Sequence, residues 1–438
     1  MNTNVKLLIL LISILFNSCK NEDHSYLHDR LWKGVVASGK DSVTIYFDFD
    51  KNLLGNLQGK ISIPDQSIYD LEASRSSMRG DSLFLEFSGA LNAKVHAKVG
   101  SDEISGVWEQ GGHAFSLNLT GSKESIFEVN IERALFITEA NSVYSQSVDW
   151  KELRREALKM AQQAKSRNEL LPIFQYILTT LKDRHGFVLL ENKYVPNKID
   201  SIGNLSVSLK KAAHGQDKEV VSKQLNATVG YLRIPKSPDF GSGKEEVYNQ
   251  LIQKHVCELI ANGVKSWIID MRLNTGGSMF HMLGGLNLLL GEGQIGSHVG
   301  ADGNQSGAWI MKKGNYYNGD QQMTTSGRMC NSIVGIDKVA ILTGPMTASS
   351  GEAVVIALRN LENSQTFGEL TKGRSTSLIG YSMAKDLLFL ISSSYYADRK
   401  GQVYKNGISP DVLVTGGDNF EDIEQDSKVR AALQWIQE

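Results

Sequence analysis

Residues 339–358, Val-Ala-Ile-Leu-Thr-Gly-Pro-Met-Thr-Ala-Ser-Ser-Gly-Glu-Ala-Val-Val-Ile-Ala-Leu, restrict the fold of this chain more than any other stretch. The run opens on apolar, partly β-branched residues and breaks at Gly344-Pro345. It resumes with apolar residues at Ala353, Ile356, Ala357 and Leu361, which is helical spacing. The pattern predicts a strand, a tight turn and a helix. Ser349 and Ser350 then stand at the first helical turn, where unpaired backbone N–H groups and the macrodipole favour a developing negative charge. A serine nucleophile needs that setting. A second reading fits the same residues: Thr347, Ser349 and Ser350 cap the helix, and Glu352 closes a capping box onto Ser349. On this stretch alone, capping is the simpler of the two.

A length of 438 residues predicts two or three domains, and a hydrophobic fraction of 41% suffices for their cores. The formal net charge of −2, with no basic block, excludes nucleic acid as a partner. After Lys6, residues 7–16 are apolar, too few to span a membrane and right for a secretory signal, and they lead into Asn17-Ser18-Cys19. This resembles a bacterial lipoprotein signal, in which Cys19 becomes the lipidated first residue. The expected product is a lipoprotein held on a membrane of the cell envelope by its lipid anchor, not a cytoplasmic protein. Residues 1–19 are then the signal peptide and 20–30 a tether. Cys257 and Cys330 remain, and two cysteines make no disulfide framework in a chain this large. Cys257, on a helix-like run, is expected to be a buried small hydrophobe. No His, Cys and carboxylate cluster has metal-ligand spacing, so no metal is expected.

Residues 31–122 alternate apolar and polar residues between closely spaced glycine turns, which predicts an all-β barrel or sandwich. His96 and His113 stand alone there and are read as structural. Near Asp149 the period changes to about 3.6 residues, and residues 130–222 are expected to form a helical subdomain. Asp183-Arg-His185 falls at a helix-to-strand junction within it. From 223 to 438 strands and helices alternate as an α/β domain, with a helix over 245–261. Residues 291–332, glycine-rich and polar, are expected to be an insertion or a flexible loop.

Six ordered segments carry a resemblance: Asp183-x-His185, Gly230-Tyr-Leu-Arg-Ile234, Asp270-x-Arg-x-Asn-x-Gly-Gly277, Thr347-Ala-Ser-Ser-Gly-Glu352, Gly368-Glu-x-Thr371 and Gly407-Ile-x-Pro-Asp411. They resemble the serine peptidase family of the tricorn core and C-terminal processing, or tail-specific, peptidases. The resemblance implies an α/β crotonase-like catalytic domain with Ser349 as nucleophile. It also implies an oxyanion hole from the backbone N–H groups of Gly276 and Ser350. Glycine at 276 and 277 lets a substrate carbonyl approach the backbone closely, which suits that role, although a tight turn closing a strand needs the same residues.

The departures select a branch. Where processing peptidases carry a lysine base this chain has Arg374, and arginine does not deprotonate in a protein. The interval from His185 to Val229 is too short for the PDZ domain usual in that branch. His185 falls on the position used as base in the tricorn-like branch, so the resemblance implies a Ser349–His185 pair acting on a peptide or protein substrate with no cofactor. The acidic partner of the tricorn branch is replaced by Tyr404-Lys405-Asn406, and the serine beside its histidine by Arg184. Glu352 either orients the site or favours the helix N-terminus. Two rival expectations share this fold: a non-catalytic ligand-binding protein, as in the similar retinoid-binding proteins of the eye, or an envelope-binding lipoprotein whose peptidase domain is vestigial. The sequence carries no indication of oligomeric state.

Overall fold

The computed structural model describes residues 27–438 apart from 29, 39–40, 52–55, 196, 198, 200–204, 215–218, 239–240 and 331–334. The expected signal peptide, Cys19 and most of the tether lie outside the described residues. The chain forms two compact units. One runs up to Arg133 and adds Leu158–Leu170 and Ser382–Leu387; the other holds Ala134–Ala157, Leu171–Tyr381 and Leu388–Glu438.

In the first unit, nine strands follow one another: β1 (Leu31–Ser38), β2 (Asp41–Lys51), β3 (Leu57–Ile63), β4 (Ile68–Glu72), β5 (Arg75–Arg79), β6 (Ser82–Phe87), β7 (Ala93–Val99), β8 (Glu103–Gln110) and β9 (His113–Ser122). They make a single antiparallel sheet in the order β4-β3-β2-β1-β9-β8-β7-β6-β5. The first strand pairs with the last, Leu31 opposite Ser122, so the meander curls round on itself and stays open only between β4 and β5. Of the two all-β architectures expected, the partly open barrel is the one adopted. Strict alternation drives it: every second residue of β7 is buried, and these join Trp32, Phe47, Phe87 and Trp108 in one apolar core.

Helices α1 (Ile126–Asn141), α2 (Trp150–Ala161) and α3 (Leu171–Thr180) follow. Asp149 starts α2 by accepting from the N–H groups of Lys151 and Glu152, each at 3.1 Å. Next come β10 (Phe187–Leu190), β11 (Lys193–Val195), α4 (Val207–His214), β12 (Val221–Gln224), β13 (Val229–Arg233), α5 (Glu245–Ala261) and β14 (Ser266–Asp270). Beyond them lie α6 (Met279–Gly285), α7 (Asn287–Leu290), β15 (Gly293–Val299), β16 (Gln305–Lys312), β17 (Asn315–Asn318), β18 (Gln321–Gln322), β19 (Val339–Thr343) and α8 (Ser350–Arg359). The chain ends with β20 (Ser364–Gly368), β21 (Thr376–Ala384), β22 (Leu387–Asp398), β23 (Val403–Tyr404), β24 (Val412–Leu413) and α9 (Ser427–Gln437).

The sheet that positions the site has the order β12-β13-β14-β19-β20-β24 and is parallel except for β12. Every residue of β13, β14 and β19 is buried, as a parallel sheet covered on both faces requires. Trp267, Ile269 and Ile341 face the core shared with α5, α6 and α8. Ile268, Leu342 and Phe367 face the other way, toward α9. A second sheet, β11-β10-β22-β15-β16-β17-β18 with β21 and β23 also on β22, flanks the site.

Two expectations are corrected here. Residues 291–332 hold the paired strands β15 to β18 rather than a flexible loop. Their glycines serve packing as well as turns: a Cβ on Gly296 would come within 2.3 Å of the buried Trp309 ring. Cys257 is a disulfide partner rather than an isolated small hydrophobe. It bonds Cys330, 73 residues away in sequence, across a Cα–Cα distance of 6.0 Å. That separation gives no framework spacing; only the folded position of α5 brings the two thiols together.

Candidate active site

The C-terminal ends of the adjacent parallel strands β14 and β19 open into two turns, the place where ligands meet sheets of this kind. Buried Asn274 latches the turns together. Its side-chain amide donates to the carbonyls of Ile234 at 3.1 Å and Pro235 at 2.8 Å, and its backbone carbonyl accepts from Ala348 N–H at 3.0 Å. Thr347 Oγ1 donates to Met271 O at 3.0 Å and accepts from Gly344 N–H at 3.1 Å. Ser350 Oγ donates to Gly277 O at 2.6 Å. Gly351 completes the fit, since a Cβ there would come within 2.5 Å of Asn274 Oδ1.

Ser349 lies between these latches, partly exposed between buried neighbours. It is the N-cap of α8 with φ 55° and ψ −123°, a left-handed backbone that a residue with a Cβ adopts only when its surroundings impose it. Gly276 packs directly against it: a Cβ there would come within 3.0 Å of Ser349 Cβ and 3.3 Å of Oγ. Gly276 itself has φ 115°, so both space and backbone demand glycine. The Gly276 N–H donates to Asn274 Oδ1 at 3.0 Å.

Glu352 is fully buried and makes the capping box with Ser349. Its Oε2 accepts from the N–H groups of Ser349 at 3.0 Å and Arg374 at 2.8 Å. Its Oε1 accepts from Thr371 Oγ1 at 2.5 Å and Gly373 N–H at 3.0 Å. Burial pushes the carboxyl up to about 7, and the four donors act against that rise. The arrangement is more than a cap, because it fixes residues 371–374 beside the serine.

His185 lies between α3 and β10, buried, with Nδ1 at 2.8 Å from Thr376 Oγ1. Asp183 shapes the turn that presents it, its Oδ1 accepting from the N–H groups of His185 at 3.0 Å and Gly186 at 2.8 Å. Burial above all, then the positive charges of Arg374 and Lys372, lower the imidazole to about 3, against the effect of its hydrogen bond at Thr376. The ring is therefore neutral at ordinary pH.

Segment 371–376 is bonded at one end to the anchor of the serine and at the other to the histidine. Glu352 Oε2 ties Ser349 to Arg374, and Thr376, two residues on and so within about 7 Å along the chain, holds His185. Among the described residues no hydrogen bond joins Ser349 Oγ to the imidazole. Arg374 occupies the lysine position, and Lys405, where the tricorn branch has its acid, lies over the Tyr395 ring with Nζ 5.2 Å from the centroid. Thr371, Thr376, Ser392 and the Asn274 side chain were not singled out from sequence. Only Asn274 and Thr371 carried a signal, as members of the spaced motifs.

A family model for peptidase family S41 matches residues 228–414. This stretch is a peptidase S41 domain. It holds Gly276, Ser349, Glu352, Thr376 and Ser392, whereas Asp183 and His185 precede it. The nisin-resistance protein of Lactococcus lactis subsp. lactis is 23% identical over 310 residues, covering 67% of this chain and 82% of that protein. A lipoprotein from Streptococcus agalactiae has a similar structure, with TM-score 0.55 at 21% identity over 72% of this chain and 97% of that one. So does a candidate peptidase from Parabacteroides merdae, with TM-score 0.50 at 18% identity over 72% of this chain and 98% of the other. These likenesses extend the shared fold beyond the S41 domain.

Proposed function

We propose that this chain is a serine-type peptidase that hydrolyses peptide bonds in the bacterial cell envelope, with Ser349 as nucleophile and His185 as general base. The observation that carries the reading is the backbone of Ser349: φ 55° at the start of α8, with Gly276 against its side chain. Strain of this kind persists where surrounding structure over-determines it, and here it holds a partly exposed serine at a helix N-terminus. In this reading Ser349 Oγ attacks the substrate carbonyl carbon while His185 takes the hydroxyl proton. The oxyanion lies near Ser350 N–H and the Gly276-Gly277 turn. Gly276 N–H already serves Asn274 Oδ1, so an oxyanion there must share or displace that acceptor. The imidazolium then protonates the leaving amine, and water deacylates the serine by the same route.

The parallel sheet, with the serine after β19 and the glycine turn after β14, supports a crotonase-like core. The Cys257–Cys330 bond supports residence in an oxidising compartment, in keeping with a signal peptide and a lipid anchor at Cys19. The test is labelling of the chain lacking residues 1–19 by a fluorophosphonate probe. Labelling that vanishes in Ser349→Ala and in His185→Ala is expected. Persistence in His185→Ala would mean another base, and an unlabelled wild type would turn the reading to ligand binding without catalysis.

A further inference from the structure

His185 is held by a chain of side chains that runs away from Ser349. Its Nδ1 lies 2.8 Å from Thr376 Oγ1, Thr376 Oγ1 lies 3.0 Å from Ser392 Oγ, and Ser392 Oγ donates to Asp183 Oδ1 at 2.8 Å. All four residues are buried, with exposures of 5%, 1%, 0% and 0% from His185 to Asp183. They come from three places in the fold: the turn before β10, the start of β21 and the middle of β22.

We propose that Asp183, Ser392 and Thr376 are positioning residues that fix His185 in the tautomer protonated at Nδ1 and leave the Nε2 lone pair free to take the Ser349 proton. The polarity follows from counting protons. An ionised carboxylate only accepts, so Ser392 spends its one hydroxyl proton on Asp183. Thr376 must then donate to Ser392, since Ser392 has no second proton to give. With its own proton committed, Thr376 can only accept from the imidazole, which therefore carries its proton on Nδ1. Asp183 is kept in place by more than this chain: its other oxygen accepts from Ser392 N–H at 2.9 Å. No proton leaves the chain during reaction; the hydroxyls orient the ring and carry part of the charge of the imidazolium toward the carboxylate.

The inference rests on the peptidase reading for its purpose but not for its geometry, so the two can fail separately. The neighbours that also bear on the chain are Arg374 and Lys372 beside His185, and Tyr144, Tyr395 and Arg184 beside Asp183. Tyr144 also hydrogen-bonds Ser392: with the Ser392 proton on Asp183, the Tyr144 hydroxyl must donate to Ser392 Oγ, whose second lone pair still accepts from Thr376, so the polarity is kept.

Ring-nitrogen NMR of isotope-labelled histidine in the chain lacking residues 1–19 reads the tautomer directly, with His185→Gln assigning the signal. We expect the Nδ1–H form in the wild type and a mixture or the Nε2–H form in Thr376→Val. The rate of fluorophosphonate labelling falls roughly 10- to 100-fold in the same variant, and its pH profile shifts. Thr376→Ser restores both readouts, and Ser392→Ala moves them in the direction of Thr376→Val. A merely structural threonine would change stability and leave the tautomer alone. An Nε2–H ring in the wild type, or an unchanged tautomer in both Thr376→Val and Ser392→Ala, overturns the proposal. A tautomer that follows Thr376 in a protein the probe never labels upholds the chain and sinks the peptidase reading. Labelling that needs Ser349 while the tautomer ignores Thr376 does the reverse.

Discussion

The Ser349 N–H donates to Glu352 Oε2 at 3.0 Å, and that one bond turns a helix cap into the frame of a site. The carboxylate also gathers Arg374, Thr371 and Gly373, so the strained serine and the segment holding the histidine share one anchor. Glu352→Gln places an amide where four donors converge, leaving at least one buried N–H facing another donor. The expected cost is about 3 kcal/mol, with loss of probe labelling, read by urea unfolding and the labelling assay. Full labelling in a stable Glu352→Gln would show that the cap is all this residue provides.

The positive φ of Ser349 makes a second prediction independent of catalysis. Ser349→Ala keeps a Cβ in a left-handed conformation, whereas Ser349→Gly removes it. Both variants should be unlabelled, and Ser349→Gly should be more stable than Ser349→Ala by about 1 kcal/mol in chemical denaturation. Equal stabilities would show that no strain is stored there.

How much of this was legible beforehand depends on the distance over which each feature is built. The strand, turn and helix around Ser349 and helix 245–261 follow from spacing within one segment, and the structure has them. Local period says nothing about partners far along the chain. Thr376 reaches His185 across 191 residues and Ser392 reaches Asp183 across 209, and neither leaves a trace in periodicity. The strands within 291–332 were hidden because their glycines, read as loop residues, make room for Trp309. The capture of Gly276 N–H by Asn274 was equally invisible, since a glycine pair in sequence says only that the backbone can come close.

The disulfide gives a redox-dependent stability. Cys257 on α5 and Cys330 close a loop of 73 residues, for which chain entropy predicts stabilisation by ~4 kcal/mol. Denaturant unfolding with and without reductant, compared with a Cys257→Ala and Cys330→Ala double variant, should show that loss, the variant being indifferent to reductant. An unchanged midpoint on reduction would remove the link.

Protonation of His185 sets a limit on the acid side. Its folded pKa is about 3, below the ordinary 6.5, so the unfolded chain binds a proton the folded chain refuses. The contribution is fully present above 6.5 and is lost as pH falls toward 3, about 5 kcal/mol at most. Glu352 runs the other way. Raised from 4.5 to about 7, it favours the folded state below 4.5 and loses that contribution as pH rises to 7. The two oppose each other in the overlap, so the variant His185→Gln is the informative comparison. Relative to the wild type it should be costlier at neutral pH than near pH ~4, measured by urea midpoints at both. A cost independent of pH would mean that the imidazole is not held neutral by burial.

The Asp270-x-Arg272 motif, next to the glycine turn, reads from the structure as a brace rather than as chemistry. Arg272 is fully buried and reaches Asp270 at 2.7 Å, Asp426 at 2.7 Å and Asp418 at 2.9 Å, with the Phe420 ring centroid 4.5 Å from its guanidinium carbon. Asp426 in turn caps α9, accepting from Lys428 N–H at 2.9 Å and Val429 N–H at 3.1 Å. The guanidinium thus ties the end of β14 to the start of the terminal helix. Arg272→Met leaves buried carboxylates facing one another and should cost about 3–5 kcal/mol. Arg272→Lys should recover only part of it, because a single ammonium cannot form the planar fork that meets three carboxylates at once. Denaturation midpoints and labelling per folded molecule separate the roles: stability should fall while the folded fraction still reacts at Ser349. A stable variant that no longer reacts would instead place Arg272 in the chemistry.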